Sequence, residues 1–243
     1  MKNENLIYGK HPVLETIKSG SSIDRVILRQ GTGGPIIGEI ITAAKEKGIR
    51  IDRLPPEVFD KKFAMKAGGG AAVYISEVKT IEFEELLEIS LNSEETPLLV
   101  ILDGIEDPHN IGAIARSVEG AGGSGIIIPQ RRIAPLSMTA VKASAGALLH
   151  IPVCRTTNLN VAIKDLKSAG FWIYGADMSG KNYLDVEFNE PAALVIGAEG
   201  RGVSRLVKKH CDELVSIPLK GKIESLNASV SAGILLFHLA SLK

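Results

Sequence analysis

Apolar residues along the chain recur at two spacings, one helical and one extended. His11-Pro12 is followed by Val13, Leu14 and Ile17, which predicts a helix with proline early and Gly20 at its end. The run 25–29 (RVILR) predicts a strand. Beyond the turn Gly31–Gly34, Ile36, Ile37, Ile40, Ile41 and Ala44 return at helical spacing as far as Gly48. Residues 49–53 alternate and predict a strand, 55–63 a short helix, and 71–76 another strand. These elements make a small α/β unit, residues 1–77, large enough to fold.

Residues 78–96 break the pattern. They hold Glu82, Glu84, Glu85, Glu88, Glu94 and Glu95 with only Lys79 opposing, while Phe83, Leu86 and Leu87 allow an amphipathic turn or two. The expectation is a solvated acidic linker helix closed by Pro97. From Leu98 the alternation restarts and defines a second unit, residues 97–243. Strands are predicted at 98–102, 125–128, 151–153, 171–176, 192–197 and 213–219, with helical patterns between most of them and a last helix from about Asn227 to Leu242. Strands separated by helices imply a parallel sheet covered on both faces. In such sheets the site lies at the carboxyl ends of the strands, so the loops that follow strands are the ones to read.

Composition narrows the class. At 45% hydrophobic and 23% charged residues, the chain is too apolar and too neutral to be disordered. Cys154 and Cys211 form no C-x-x-C and no disulfide framework, and read as core hydrophobes in a reducing cytosol. Met1–Tyr8 lacks the apolar run of a signal peptide. The longest apolar stretch, 230–242, falls short of the roughly 20 residues a membrane span needs. A soluble, cytoplasmic protein is expected.

Four loops could carry chemistry. Gly120-x-Gly122-x-x-Gly125 matches a dinucleotide fingerprint, but it follows a helix and opens a strand, so it reads as a helix end and tight turn. Gly197-Ala-Glu199-Gly200-Arg-Gly202 follows a strand and offers backbone N–H groups to a ligand. No Lys-Ser/Thr follows, so it is not a phosphate P-loop. In 103–116 (DGIEDPHNIGAIAR), Asp107-Pro108 predicts a helix cap. Six helical residues turn about 240° net, so Asn110 and Arg116 do not share a face of that helix. Arg116 alone also fits a surface residue paired with Glu119 or Asp107. In 217–231, Ser225 or Asn227 fits a helix N-cap. The five histidines are scattered without ligand spacing, so no metal is expected. The absence of G-x-S-x-G argues against a hydrolase triad.

Taken together and in order, N110-IGAIA-R116-SVEGAG, L194-VIGAE199-G200-RGVS and I217-PL…S225-L-N227-A-S229 resemble the three motifs of the SpoU (TrmH-like) RNA ribose 2′-O-methyltransferases. The resemblance covers Leu98–Lys243. The segment I7-YGKHP-V13 and the small unit around it are similar to the RNA-binding domain of the bacterial 23S rRNA guanosine-2′-O-methyltransferases, the RlmB type.

The resemblance implies a parallel-sheet SPOUT domain with a deep C-terminal trefoil knot, where unaided reading would give an open doubly wound sheet. It implies S-adenosylmethionine as methyl donor, no metal, 23S rRNA as partner and a homodimer. By position, Gly197, Glu199, Gly200, Ile217, Leu219 and Leu226 would meet the cofactor. Asn110, Arg116, Glu199, Ser225 and Asn227 match the functional positions. A tRNA substrate and a non-catalytic RNA-binding assembly factor are the alternatives on this fold. A nucleotide-dependent oxidoreductase is disfavoured by the misplaced glycine fingerprint.

This changes the meaning of the zero net charge. Residues 1–77 carry 12 Lys/Arg against 9 Asp/Glu, 78–96 carry 1 against 6, and 97–243 carry 15 against 13. Both units are mildly basic and the acid sits between them. RNA affinity is therefore expected to be modest in its phosphate-driven part.

Overall fold

The computed structural model describes residues 6–19, 23–63, 69–76, 78–223 and 225–242. The expected helix end at Gly20 lies outside them. The chain divides into two units, with the main break between Lys79 and Thr80.

The first unit runs β1 (Leu6–Tyr8), α1 (Lys10–Lys18), β2 (Ile23–Arg29), α2 (Pro35–Glu46), β3 (Arg50–Leu54), α3 (Pro56–Phe63) and β4 (Ala71–Ile75). Its sheet has the order β1-β4-β2-β3, antiparallel at the first two pairings and parallel at β2/β3. Strand side chains alternate between faces, and β2 shows the consequence. Val26 and Leu28 pack with Val13, Ile17, Ile37 and Ile40. Ile27 points the other way, to Phe59 and Phe63. Both faces are covered, which is why RVILR reads as nearly continuous apolar sequence. Strand β1 was not anticipated; three residues are too few to show a period.

The second unit contains α4 (Phe83–Leu91), β5 (Leu98–Asp103), α5 (Pro108–Gly120), β6 (Gly125–Pro129), α6 (Met138–Ala143), β7 (Val153–Thr156), α7 (Leu159–Ser168), β8 (Trp172–Asn182), β9 (Ala192–Gly197), α8 (Arg205–Lys208), β10 (Glu213–Ser216) and α9 (Ala228–Ala240). The sheet order is β10-β8-β9-β5-β6-β7, and every pairing is parallel. One face packs Leu99, Ile101, Ile127, Ile173 and Val195 against α7 and against Leu86 of α4. On other surfaces α9 packs against α5 and β9.

Three expectations change. The acidic segment forms the expected helix, but it docks rather than standing solvated: Leu86 is fully buried in this core, with Ile81, Phe83 and Leu87 packed beside it. Glu84, Glu85 and Glu88 occupy the exposed side of a helix whose few apolar residues suffice to dock it. Strand β10 stops at Ser216 rather than Leu219, and β7 starts at Val153 rather than Ile151, because Pro218 and Pro152 cannot donate a ladder hydrogen bond. Strand β8 runs on to Asn182, six residues beyond expectation, with an irregular register against Leu214/Val215. Gly120–Gly125 does serve as a helix end and turn, with Gly122 at φ 67°.

Candidate functional site

The site forms at the carboxyl ends of β5, β8, β9 and β10. Helix α5 opens on Asp107, whose Oδ1 accepts from the His109 backbone N–H at 2.8 Å. Pro108 fills the first helical position. That start places Asn110 in the first turn, 93% buried.

Strand β9 ends at Gly197, where a Cβ would lie 2.0 Å from the backbone carbon of Gly202. Only glycine fits, and the chain turns back so that the Gly202 N–H donates to the Ala198 carbonyl at 2.8 Å. The turn carries Glu199. Its far end is fixed to β5, since the Ser204 N–H donates to Asp103 Oδ2 at 2.7 Å.

Three side chains from three segments meet here. Asn110 Nδ2 donates to Glu199 Oε1 at 3.0 Å. Asn227 Nδ2 donates to Asn110 Oδ1 at 3.0 Å and also to Glu199 Oε1. Asn227 Oδ1 accepts from the Ser229 N–H at 2.9 Å and so caps α9. The N-cap reading of Asn227 thus holds, and the same side chain also reaches Asn110 and Glu199. One face of the amide starts the helix and the other joins the network.

Beside the network lies a cavity of about 480 Å³. Gly197, Glu199, Gly200, Ile217, Leu219 and Leu226 all line it, and so does Ser225. Ile196 and Leu235 add aliphatic surface. A smaller cavity of about 350 Å³ holds Asn110, Glu106 and Asp107 and shares Ala198, Glu199 and Arg201 with the first.

Arg116 stands apart. It is exposed on α5, and among the described residues its guanidinium has no hydrogen bond or ion pair. The expected alternative, a surface pair with Glu119 or Asp107, is not formed. The 240° turn from Asn110 separates the buried side of the helix from its exposed side.

The sequence reading missed Asp177 and Lys208, an ion pair lining the main cavity. Burial alone would raise the Asp177 pKa, but hydrogen bonds from Lys208 and Ser179 outweigh it and hold the carboxyl below its ordinary value. The available signal was Asp177's place just beyond the predicted end of β8. Burial pushes both Cys154 and Cys211 up to about 12, so neither is a ready nucleophile at neutral pH. Among the described residues no group of three or more His, Cys, Asp or Glu is placed to hold a metal, and no helix is long and apolar enough to cross a membrane.

Residues 97–237 match the model of the SpoU rRNA Methylase family, and residues 6–80 match that of the RNA 2′-O ribose methyltransferase substrate-binding domain. The chain belongs to the SpoU (TrmH) RNA methyltransferase family. A Bacillus subtilis protein named as a TrmH family tRNA/rRNA methyltransferase is 38% identical over 238 residues, covering 98% of this chain and 95% of that protein. A Staphylococcus haemolyticus relative of the same description is 39% identical, covering 96% and 94%. The fold is shared with the SpoU methyltransferase AviRb of Streptomyces viridochromogenes, solved in complex with AdoMet, at a TM-score of 0.61 and 23% identity over 98% of this chain and 89% of that one. An AdoMet-bound rRNA methyltransferase from Sinorhizobium meliloti matches at a TM-score of 0.61 and 22% identity, covering 98% and 87%.

Proposed function

We propose that this protein transfers a methyl group from S-adenosylmethionine to the ribose 2′-hydroxyl of a guanosine in 23S rRNA, acting as a cytoplasmic homodimer. The observation that carries the reading is the Asn110–Glu199–Asn227 network beside the cavity.

The cavity suits the cofactor. Its volume falls within the roughly 300–1,000 Å³ of small-molecule sites. Gly197 leaves no room for a side chain and brings the backbone to the ligand. Ile217 and Leu226 offer aliphatic faces to a flat ring. When bound, S-adenosylmethionine supplies an electrophilic methyl group, so the reaction calls for no metal and no covalent nucleophile. The residues that would hold it are Gly197, Glu199, Gly200, Ile217, Leu219 and Leu226.

The protein's task is to align the ribose oxygen and stabilise the charge that develops on it. Asn110 and Asn227 are held by Glu199 and by the cap of α9, so their orientation is set before substrate arrives. Ser225, at the cavity wall, would contact the substrate phosphate. Arg116 is a poor proton acceptor as a guanidinium. Its bidentate fork suits a phosphate or a developing alkoxide.

Arg116 is not part of its own chain's network, and we propose that it serves a site across the dimer. Helix α9 is mostly apolar, and its Val230 and Phe237 are about half exposed. A Cβ on Gly233 of that helix would meet Ser117 Oγ at 3.5 Å, one residue from Arg116. A second copy covering the outer face of α9 would therefore come close to Arg116. The trefoil knot belongs to this proposal too. It would be formed by the C-terminal segment that passes through 217–227 and returns as α9.

The RNA 2′-O ribose methyltransferase substrate-binding match at 6–80 supports an RNA substrate, and the choice of rRNA over tRNA rests on the separate N-terminal unit. Purified protein should be incubated with methyl-labelled cofactor and with 23S rRNA or tRNA from an undermethylated strain. Label in 2′-O-methylguanosine of 23S rRNA is expected. Label confined to tRNA would replace the substrate, and no transfer to either RNA would reject the reading.

A further inference from the structure

The cavity wall has a charged region that the proposed chemistry leaves unused. Most of the lining is aliphatic side chain or glycine backbone. Among the described residues, its charged members include Glu199, engaged by Asn110 and Asn227, and Arg201, which leans toward Glu106 at 3.9 Å. They also include Asp177, on the extension of β8, ion-paired with Lys208 of α8. The two side chains are 11% and 31% exposed. Asp177 Oδ1 also accepts from Ser179, from the backbone N–H at 3.1 Å and from Oγ at 2.6 Å.

A pair this sheltered is costly to desolvate, and aliphatic side chains of similar volume would close the wall more cheaply. It also has capacity to spare. An ammonium has three donors, and a carboxylate has about four acceptor positions. A ligand with both an ammonium and a carboxylate meets a partner of opposite sign for each. S-adenosylmethionine is such a ligand: an adenosine that suits the aliphatic and backbone wall, and a zwitterionic amino-acid end.

We propose that Asp177 and Lys208 form the subsite for the cofactor's amino-acid end. Asp177 accepts from its ammonium, Lys208 donates to its carboxylate, and Ser179 fixes the Asp177 rotamer. This assignment rests on the cofactor reading above. It makes the pair a determinant of specificity for the intact amino-acid cofactor over plain thioadenosines.

Calorimetry on the full chain tests it, with S-adenosylmethionine and 5′-methylthioadenosine as probes. The second keeps adenine, ribose and sulfur but lacks both the amino-acid end and the sulfonium charge, so S-adenosylhomocysteine, a neutral thioether that keeps the amino-acid end, is titrated beside it and should follow S-adenosylmethionine in the variants. Wild-type protein should bind 5′-methylthioadenosine about tenfold or more weaker, and Asp177→Asn and Lys208→Met should each weaken S-adenosylmethionine about tenfold. The same substitutions should change 5′-methylthioadenosine binding less than about twofold, and Lys208→Arg should restore most of the loss. A purely structural pair would move both ligands together. Equal wild-type affinity for the two ligands, or parallel losses in the variants, overturns the subsite. Failure of wild-type protein to bind S-adenosylmethionine at all overturns the cofactor reading with it.

Discussion

Two glycine-rich turns follow strands in this molecule, one after β2 and one after β9. As sequence, Gly31-Thr-Gly33-Gly34 and Gly197-Ala-Glu-Gly200-Arg-Gly202 look equally permissive. Their physical reasons differ. In the first, a Cβ on Gly31, Gly33 or Gly34 would meet nothing within 4 Å, and only the positive φ of Gly31 and Gly34, 77° and 108°, asks for glycine. In the second, a Cβ on Gly197 would strike the Gly202 backbone at 2.0 Å and Val203 N at 2.1 Å. One turn uses glycine for a dihedral angle; the other uses it to bring two backbones together around a cavity. Composition cannot separate these cases, because both are written with the same letter.

Substitutions can separate them. Gly197→Ala should have the largest effect, a loss of about 3 kcal/mol or more, with cofactor binding abolished because the turn must move. Thermal unfolding and calorimetry would check it; an alanine tolerated at wild-type stability would break the close-approach account. Asn227→Ala should come next, at about 1–2 kcal/mol from the lost cap, together with loss of methyl transfer. Asn227→Asp divides those two roles. The carboxylate still caps α9 but faces Glu199, so stability should be largely kept while turnover falls.

In the first unit, Gly34→Ala should cost about 1–2 kcal/mol from backbone strain alone, without affecting cofactor affinity. Gly33→Ala, at an open position without positive φ, should be neutral or stabilising by up to about 1 kcal/mol. The smallest change in stability is expected for Arg116→Ala, within about 0.5 kcal/mol, since its side chain has no partner among the described residues. It should nonetheless lower methyl transfer about 100-fold or more and leave cofactor binding intact. Full activity in that variant would remove Arg116 from the site.

Sequence carried the fold where period and punctuation agreed. The apolar strands β5 and β9, the Asp107-Pro108 cap and the capped start of α9 were all legible, because each rests on local chemistry. The cavity residues were found only because three loops matched family motifs in order. Spacing gives no reason for Leu226 and Gly197 to face one cavity. Strand β1 is too short to show a period, and the docking of the acidic helix is hidden because six glutamates outweigh the buried Leu86 in the composition. The Asp177–Lys208 pair joins residues 31 apart, and neither one alone marks a site.

The central claim is that the loops after β5, β9 and β10 build a ribose 2′-O-methyltransferase for 23S rRNA. Quantitative mass spectrometry of nucleosides from 23S rRNA, comparing a strain lacking this protein with the same strain complemented by wild type or Arg116→Ala, tests it most directly. The account predicts that one 2′-O-methylguanosine disappears in the deletion, returns with wild type and stays absent with Arg116→Ala. An unchanged set of 2′-O-methylated nucleosides in the deletion strain would contradict it.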